Sequence, residues 1–343
     1  MKALVTGGGG FLGMAIVRAL RARGTAVRSL SRQAHPALGE LGAEEVRGDI
    51  GDAGAVLAAA AGCDIVFHVA AKAGIWGAYQ DYHRANVLGT ENVIAACRHH
   101  RIQKLVHTSS PSVIFGGADL EGVDESVPYP KHFKAHYPHT KALAEQRVLA
   151  ANSPTLATVA LRPHLIWGPG DNHLLPRLIA RAQQGQLRRI GSRRKLVDTV
   201  FIENAAEAHL LAGDALAPGS VCAGKAYFIS NGEPIELWEM VNRMLAAAGL
   251  PPVTRSVPMP VARALAWCFE AFARVTGRES EPRLTRFVVC EMSTAHWFNI
   301  AAAQRDFGYA PKVSTEEGLR RLAAHLQTEK SRYRQPNLHP PVE

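Results

Sequence analysis

Residues 2–13 read Lys2-Ala3-Leu4-Val5-Thr6-Gly7-Gly8-Gly9-Gly10-Phe11-Leu12-Gly13. A short apolar run is followed at once by four glycines and then by the start of a helical pattern. In that order, backbone N–H groups at the start of the helix can approach a pyrophosphate, where the helix dipole favours negative charge. The spacing of Gly7, Gly10 and Gly13 therefore predicts a dinucleotide-binding turn, with Phe11 and Leu12 in its helical part. The alternative is a tight turn that only packs the helix closely on the strand.

The first half of the chain repeats this alternation of short apolar runs and helical patterns, which is typical of a parallel sheet. Strands are predicted at Lys2–Thr6, Ala26–Leu30, Glu45–Arg47, Asp64–Val69, Lys104–Thr108 and Thr158–Leu161. Helices are predicted at Leu12–Arg23, Ala53–Ala61, Tyr82–His100, Tyr137–Ala151 and Ala205–Leu216. Several strands are apolar on both faces, as expected where helices cover both sides. We therefore expect an α/β fold with a doubly wound parallel sheet of the Rossmann kind.

The alternation ends near Pro163, where loops rich in glycine and proline begin. The sequence predicts a dinucleotide-binding core over residues 1–164, to which residues 197–225 return. Residues 165–196 and 226–330 are expected to form a smaller C-terminal substrate lobe. Residues 331–343 are expected to form a frayed tail.

Composition excludes several classes of protein. The chain has 343 residues, of which 47% are hydrophobic and 20% charged, which rules out a disordered chain. A net charge of +9 suits anionic small molecules, and without a groove-reading motif we expect no nucleic-acid partner. Five scattered cysteines predict a reducing compartment, so a cytoplasmic location is expected. The start lacks a signal-peptide layout, and no charge-free apolar stretch reaches roughly 20 residues, so at most peripheral membrane contact is expected.

The end of the second predicted strand decides which dinucleotide binds. An acidic residue there would bind the ribose hydroxyls of NAD, but this chain has Ser31 followed by Arg32. A guanidinium can form charge-assisted hydrogen bonds to a 2′-phosphate, so NADP(H) is the expected cofactor. The alternative is a solvated surface arginine. Asp49 and Ile50 follow the third strand and are expected to flank the adenine. The small side chains of Ala70 and Ala71 follow the fourth and leave room for the cofactor.

Tyr137 is the one tyrosine with a lysine, Lys141, four residues later. Side chains at i and i+4 of a helix share a face about 6 Å apart, so an ammonium there is expected to favour tyrosinate and lower the pKa of Tyr137. The fifth predicted strand ends in Thr108-Ser109-Ser110. A hydroxyl at a strand end can hydrogen-bond a carbonyl oxygen that gains negative charge. The combination predicts acid–base chemistry on a carbonyl group, whereas a lone Tyr-x-x-x-Lys is more often structural.

These motifs together resemble the short-chain dehydrogenase/reductase superfamily in its extended form, and within it the 3β-hydroxysteroid dehydrogenase-like branch. The resemblance is carried by 6–13, 108–110, Tyr137-Pro-His-Thr-Lys141, Leu161-Arg162-Pro163 and a C-terminal segment at 305–319. It implies that Tyr137 is the acid/base, Lys141 its activator, Ser110 the group that polarises the carbonyl and Asn86 a member of the proton relay. The implied cofactor-binding residues are Gly7, Gly10, Phe11, Leu12, Gly13, Ser31, Arg32, Asp49, Ile50, Ala70, Ala71, Tyr137, Lys141 and Pro163.

The resemblance implies NADPH-dependent reduction of a ketone. The expected substrate is a long-chain 2-alkyl-3-oxoalkanoate, a β-keto acid, reduced to the 2-alkyl-3-hydroxyalkanoate in olefin biosynthesis. A 3β-hydroxysteroid or sterol-4-carboxylate dehydrogenase is the alternative, because those substrates are also bulky, apolar and β-oxygenated. A non-catalytic NADP-sensing scaffold is the alternative from another class, although it would need neither Tyr137 nor Lys141. Assembly with other olefin-pathway enzymes and a homodimer are left open.

Two further patterns concern the second half of the site. Over 261–275 an amphipathic helix is predicted, with an apolar face that includes Leu265 and Phe272, and with Arg263 on the opposite face. We expect Leu265 and Phe272 to shape a substrate channel or its lid; a plain core helix, or contact with lipid or another protein, are the alternatives. His132, His136 and His139 precede or follow Tyr137 at helical spacing. No carboxylate or cysteine is spaced to complete a site, so no metal is expected.

Overall fold

The computed structural model describes residues 1–191, 194–278 and 280–334. Its strands are β1 Lys2–Thr6, β2 Ala26–Ser31, β3 Glu44–Arg47, β4 Ile65–His68, β5 Lys104–Thr108, β6 Leu120–Val123, β7 Ala157–Pro163, β8 Ile166–Trp167, β9 Arg189–Ile190, β10 Leu196–Val197, β11 Val200–Phe201, β12 Lys225–Ile229, β13 Ile235–Glu236, β14 Ser256–Val257 and β15 His296–Phe298. Its α-helices are α1 Phe11–Ala22, α2 Pro36–Glu40, α3 Ala53–Ala60, α4 Tyr79–Tyr82, α5 Gly89–His99, α6 His136–Ala150, α7 Leu174–Gln183, α8 Ile202–Ala215, α9 Leu237–Ala247, α10 Met259–Val275, α11 Arg286–Glu291, α12 Ala301–Phe307 and α13 Thr315–Arg334.

A parallel seven-stranded sheet forms the centre of the molecule, in the order β12-β7-β5-β4-β1-β2-β3. Side chains alternate between the two faces of this sheet along each strand, and helices bury both faces. In β1, Ala3 and Val5 join the core beneath α1 and α8, whereas Leu4 joins the core beneath α3 and α5. The predicted fold class, a doubly wound parallel sheet, is confirmed.

The helix predicted over Tyr82–His100 is divided in the structure. It consists of α4, a π-helical turn over His83–Leu88, and α5. The division has a tertiary cause, because the π-helical turn holds Asn86, whose side chain forms hydrogen bonds with the backbone of Lys72 outside the helix. A wider turn places this side chain at the end of β4, which periodicity alone does not indicate.

The C-terminal half of the chain forms most of a second sheet and contributes strand β12 to the central sheet. The second sheet has the order β13-β10-β15-β6, and its strands come from both halves of the chain. Strand β12 carries residues 226–229 into the central sheet beside β7, so the boundary expected at residue 225 divides a strand. Helix α13 continues to Arg334, so the expected tail is helical over 331–334, and residues 335–343 lie outside the described residues. Among the described residues, no helix combines the length and apolarity needed to span a bilayer.

A buried ion pair fastens α6 to the sheet. Arg162 of β7 donates from Nε and Nη2 to the two carboxylate oxygens of Glu145 at 2.9 and 2.6 Å, and Tyr129 donates its hydroxyl to the same carboxylate at 2.6 Å. Arg162 is 3% exposed and Glu145 is fully buried. Each charge in this pair satisfies the other away from water, so loss of one partner leaves an uncompensated buried charge.

We therefore expect Glu145→Ala to lower the free energy of unfolding by about 3–5 kcal/mol, because the Arg162 guanidinium would remain buried without its carboxylate. Urea denaturation measures this loss. Glu91→Ala is the matched control, because it breaks an ion pair with Arg147 that is exposed on both sides, and such pairs contribute about 0–1 kcal/mol. Equal losses in the two variants would contradict the anchoring role.

Candidate active site

A cleft of about 890 Å³ opens at the carboxyl ends of the central strands. We call it the strand-end cleft, and its lining combines the glycine turn, the ends of β2, β4, β5 and β7, and the first turns of α6. The structure brings all the predicted cofactor residues to this cleft, namely Gly7, Gly10, Phe11, Leu12, Gly13, Ser31, Arg32, Asp49, Ile50, Ala70, Ala71, Tyr137, Lys141 and Pro163. Ligands bind at this edge in open parallel sheets.

The glycine turn has no room for side chains at two of its positions. A Cβ on Gly13 would lie 2.1 Å from the carbonyl oxygen of Gly7, and a Cβ on Gly7 would lie 2.9 Å from the Cα of Ala70. Gly7 also has φ +72°, which favours glycine. No side chain caps the N-terminus of α1. The first N–H groups of this helix are therefore available to an anion in the cleft.

The end of β2 is polar and carries one cation. Ser31 is the last residue of the strand, and its Oγ accepts a hydrogen bond of 3.4 Å from the N–H of Gly9. Arg32 is exposed, lines the strand-end cleft and has no carboxylate partner within the described part of the chain. Its guanidinium is therefore free to bind an anionic group there.

Lys141 is buried below the strand-end cleft at 2% exposure. Its Nζ donates to the carbonyl oxygen of Thr108 at 2.5 Å and lies 3.5 Å from Nε2 of His107. Burial lowers the pKa of Lys141 to about 8, and the Glu145 carboxylate opposes this effect. The ammonium is thus fixed at the end of β5 rather than free in the cleft.

The expected lowering of the Tyr137 pKa by Lys141 is wrong. The pKa of Tyr137 is raised to about 12, mainly by burial and to a smaller extent by the nearby Glu291 carboxyl, and a hydrogen bond with Ser110 opposes this rise. The ammonium of Lys141 is directed to the carbonyl of Thr108 instead. The phenol is therefore held in its neutral form, which can donate a proton.

The structure distinguishes the two serines after β5. Ser110 contacts the phenol of Tyr137, and its Oγ also accepts from the N–H of Ser112 at 3.2 Å, so it caps the 3₁₀-turn at 111–114. Ser109 is 3% exposed, and its Oγ has no hydrogen-bond partner among the described residues. Both serines line the strand-end cleft. An unpartnered buried hydroxyl is costly, so Ser109 offers a further polar contact to a bound ligand.

Asn86 is not brought to the strand-end cleft. Its Oδ1 accepts from the N–H of Lys72 at 2.7 Å, and its Nδ2 donates to the carbonyl of Lys72 and to Oγ1 of Thr140, at 3.2 and 3.0 Å. Asn86 is buried and bridges the loop after β4 to the residue before Lys141. Sequence reasoning missed Lys72, which lines the strand-end cleft directly after Ala70 and Ala71.

A second cleft of about 1040 Å³ adjoins the first and shares Lys72 and Asp81 with it. We call it the cationic cleft; its charged lining residues are Lys72, Asp81, Lys134, Arg263, Glu270, Arg274, Arg278 and Arg286. The prediction that the apolar face of the 261–275 helix shapes this region is wrong. Leu265 and Phe272 are 43% and 57% exposed and do not line the cationic cleft, whereas Arg263 on the opposite face does. Small buried residues (Ala262, Ala266 and Ala273) let the charged face of α10 pack inward.

The imidazole rings of His136 and His139 pack against neighbouring aromatic side chains. His139 stacks on Phe133 with centroids 5.0 Å apart, and His136 lies edge-on to Tyr79 at 5.5 Å. His136 also lines the cationic cleft. The part of the chain that the structure describes contains no cluster of three histidine, cysteine or acidic side chains that could hold a metal ion.

Burial of a charged lysine has a consequence for stability. Because the pKa of Lys141 falls from 10.5 to about 8 on folding, the unfolded chain binds more protons between these pH values. We expect Lys141→Met to raise the free energy of unfolding by about 1–3 kcal/mol at pH 7, since it removes a buried cation but also its hydrogen bond to Thr108. The advantage should shrink as the pH rises from about 8 towards 10.5, because the native lysine loses its charge.

Urea denaturation at pH 7, 8.5 and 10 measures this difference. Lys131→Met is the control, because Lys131 is exposed and its replacement should leave the stability difference small at every pH. A Lys141→Met variant that is less stable than the parent at pH 7 would contradict the prediction.

The chain is similar to known proteins in sequence and in fold. Residues 4–260 match the profile of the 3-beta hydroxysteroid dehydrogenase/isomerase family. The 2-alkyl-3-oxoalkanoate reductases of Stenotrophomonas maltophilia and Shewanella oneidensis are 55% and 49% identical, over 94% of this chain in both and over 99% and 86% of the relatives. The structure of Thermus thermophilus UDP-glucose 4-epimerase, a complex with NAD, superposes with TM-score 0.71 at 24% identity, covering 95% of this chain and 99% of that one. The chain therefore belongs to the 3-beta hydroxysteroid dehydrogenase/isomerase family.

Proposed function

We propose that this oxidoreductase reduces the ketone of a long-chain 2-alkyl-3-oxoalkanoate to the 3-hydroxy acid with NADPH. The observation that carries the proposal is the contact of Ser110 with the protonated phenol of Tyr137, beside the strand-end cleft. Two relatives whose sequences match over 94% of the chain are named 2-alkyl-3-oxoalkanoate reductase, and their names support this choice of substrate.

The residues of the strand-end cleft fit a nicotinamide dinucleotide phosphate. Its pyrophosphate would lie at the uncapped N-terminus of α1, where Gly7 and Gly13 leave space for it. Arg32, at the end of β2, supplies an unpaired cation for the 2′-phosphate, and Ser31 places no carboxylate beside the ribose. The orphaned hydroxyl of Ser109 fits a polar ligand in the same cleft. When bound, the cofactor supplies a hydride.

Tyr137 and Ser110 would act on the ketone oxygen. The neutral phenol of Tyr137 gives its proton to this oxygen as the carbonyl carbon is reduced, so that an alcohol forms. The Ser110 hydroxyl donates a hydrogen bond to the same oxygen and stabilises the negative charge that develops there. The raised pKa of Tyr137, about 12, makes it an acid that is always protonated at neutral pH.

Lys141 and Asn86 support this chemistry from below the cleft. The ammonium of Lys141, whose pKa is about 8, lies on the helical face of Tyr137 and can restore a proton to the site. Asn86 holds Thr140, the neighbour of Lys141, against the loop after β4. We therefore assign Asn86 as a positioning residue of the proton relay.

A second candidate function is oxidation of a 3β-hydroxysteroid or a sterol-4-carboxylate, favoured by the name of the family over 4–260. Incubation of the purified protein with NADPH and either 2-alkyl-3-oxoalkanoates or ketosteroids distinguishes the two. Turnover of the ketosteroids alone would overturn the proposal. A homodimer, assembly with other olefin-pathway enzymes and a cytoplasmic location stay predictions.

The free guanidinium of Arg32 predicts a preference between cofactors. We expect kcat/KM for NADPH to exceed that for NADH by about tenfold to hundredfold, since a charge-assisted phosphate contact is worth about 1.5–3 kcal/mol. The double variant Ser31→Asp, Arg32→Ala should erode or reverse this preference. Arg18→Ala, an exposed arginine on α1, is the control and should keep it. Equal kcat/KM for both cofactors in the unmodified protein would show that Arg32 does not select NADPH.

Removal of the Tyr137 hydroxyl tests the proton donor. Tyr137→Phe should lower kcat by at least about a hundredfold, which is the usual contribution of a general acid, while NADPH binding followed by fluorescence stays nearly intact. Tyr227→Phe is the control, because its hydroxyl bonds Asp306 outside both clefts and its loss should not change turnover. If Tyr137→Phe kept most of its activity, another group would have to be the acid.

A further inference from the structure

The cationic cleft is lined by more cationic side chains than carboxylates, so its ion pairs leave some of the cations unpaired. Its lining combines six cationic side chains with two carboxylates, counted over the described residues. The carboxylate of Glu270 accepts from Arg286 Nε at 2.8 Å and lies 3.4 Å from Arg274. Lys72 is paired with Asp81 at 2.7 Å. The two carboxylates are thus already bound, and an excess of cations remains for an anion from solution.

Lys134 and Arg263 are two unpaired cations of the cationic cleft. Both are exposed to the cleft, and neither has a carboxylate partner in the described ranges. Lys134 lies three residues before Tyr137, and its side chain meets that of Cys290 at Gly117, where a Cβ would be 3.1 Å from Lys134 Cε and 3.3 Å from Cys290 Sγ. Arg263 lines the same cleft as Lys134 and Cys290, and the charges of both cations oppose the rise in the pKa of Cys290.

This wall of the cationic cleft continues to Tyr137. Glu291 follows Cys290 on α11, and its carboxyl acts on the Tyr137 phenol. Lys134, Ala135 and His136 line the cationic cleft, and Tyr137 follows them directly in the sequence. An anion bound by Lys134 and Arg263 would thus lie in the cleft that adjoins the one lined by Tyr137.

We propose that Lys134 and Arg263 bind the carboxylate of the substrate and thereby select free β-keto acids. The inference rests on the proposed function, and it names the group that the enzyme recognises. In a 3-oxo acid, one carbon separates the carboxylate carbon from the ketone carbon. Once the ketone oxygen contacts Tyr137, the carboxylate must lie close by, and it can enter the adjoining cleft that these two cations line. The rings of Trp76, Phe133 and Phe287 provide apolar lining in the same cleft for the carbon chain.

A carboxylate fits this arrangement better than a phosphorylated carrier. The phosphates of a carrier thioester are many bonds away from the ketone, so they could not lie at the wall beside Tyr137. A thioester is also neutral at the position of the carboxylate, so it lacks the negative charge that Lys134 and Arg263 would bind. The ester and thioester forms of one substrate therefore separate these possibilities.

The test compares a 2-alkyl-3-oxoalkanoate with its methyl ester and its coenzyme A thioester, in the full-length protein with NADPH. In the double variant Lys134→Gln, Arg263→Gln, we expect KM for the acid to rise about tenfold to hundredfold, with kcat changed much less. KM for the neutral ester should stay within about twofold. Arg18→Gln is the control, because it removes one exposed positive charge that lines neither cleft. Circular dichroism and melting temperature confirm that the variants are folded.

A binding measurement separates recognition from turnover. Calorimetric titration with the 3-hydroxy acid product and its methyl ester should show the same selective loss for the acid in the double variant. Equal losses for acid and ester, no loss for either, or a loss confined to the thioester would each overturn the assignment. Failure of the unmodified protein to reduce the keto acid in any form would instead reject the proposed function, so the two failures are distinguishable.

Discussion

The buried ammonium of Lys141 is the constraint on which the site depends. It lies at the end of β5, held at 2.5 Å by the carbonyl of Thr108, where burial lowers its pKa to about 8. A cation there is unfavourable for folding, so the helix that carries it must be fixed by other interactions. The ion pair of Glu145 with Arg162, one turn further along α6, supplies this anchor. The same anchored helix presents Tyr137 at its first turn.

Burial acts on the two groups in opposite directions, and this sets their chemistry. It lowers the pKa of Lys141, whereas it raises the pKa of Tyr137 to about 12. Burial also raises the pKa of Glu291 to about 8, and above that pH its carboxylate further disfavours a negative charge on the phenol. A phenol that stays protonated at neutral pH has a proton to give to a substrate oxygen, and a lysine with a pKa near 8 can replace that proton. The electrostatics of these side chains therefore suit reduction of a ketone.

Most of the fold and the cofactor side of the site could be predicted because they depend on local sequence. The glycine turn, the strand ends at Ser31 and Ser110, and the spacing of Tyr137 and Lys141 each follow from a few consecutive residues. The pKa of Tyr137 could not be predicted, because it depends on burial and on Glu291, which is distant in sequence. The π-helical turn at 83–88 was missed for a related reason, since its cause is a tertiary hydrogen bond and not a local preference.

Helix α10 shows why the substrate side was harder to predict. Its periodicity correctly indicates an amphipathic helix, but periodicity does not tell which face packs inward. Buried alanines allow close packing on the charged side, where the carboxylate of Glu270 pairs with Arg286, whereas Arg263 on the same side has no carboxylate partner among the described residues. Phe272 on the other face is left exposed. The helix therefore contributes charge rather than apolar surface to the neighbouring cleft, and discrimination between an acid and a neutral steroid becomes electrostatic in origin.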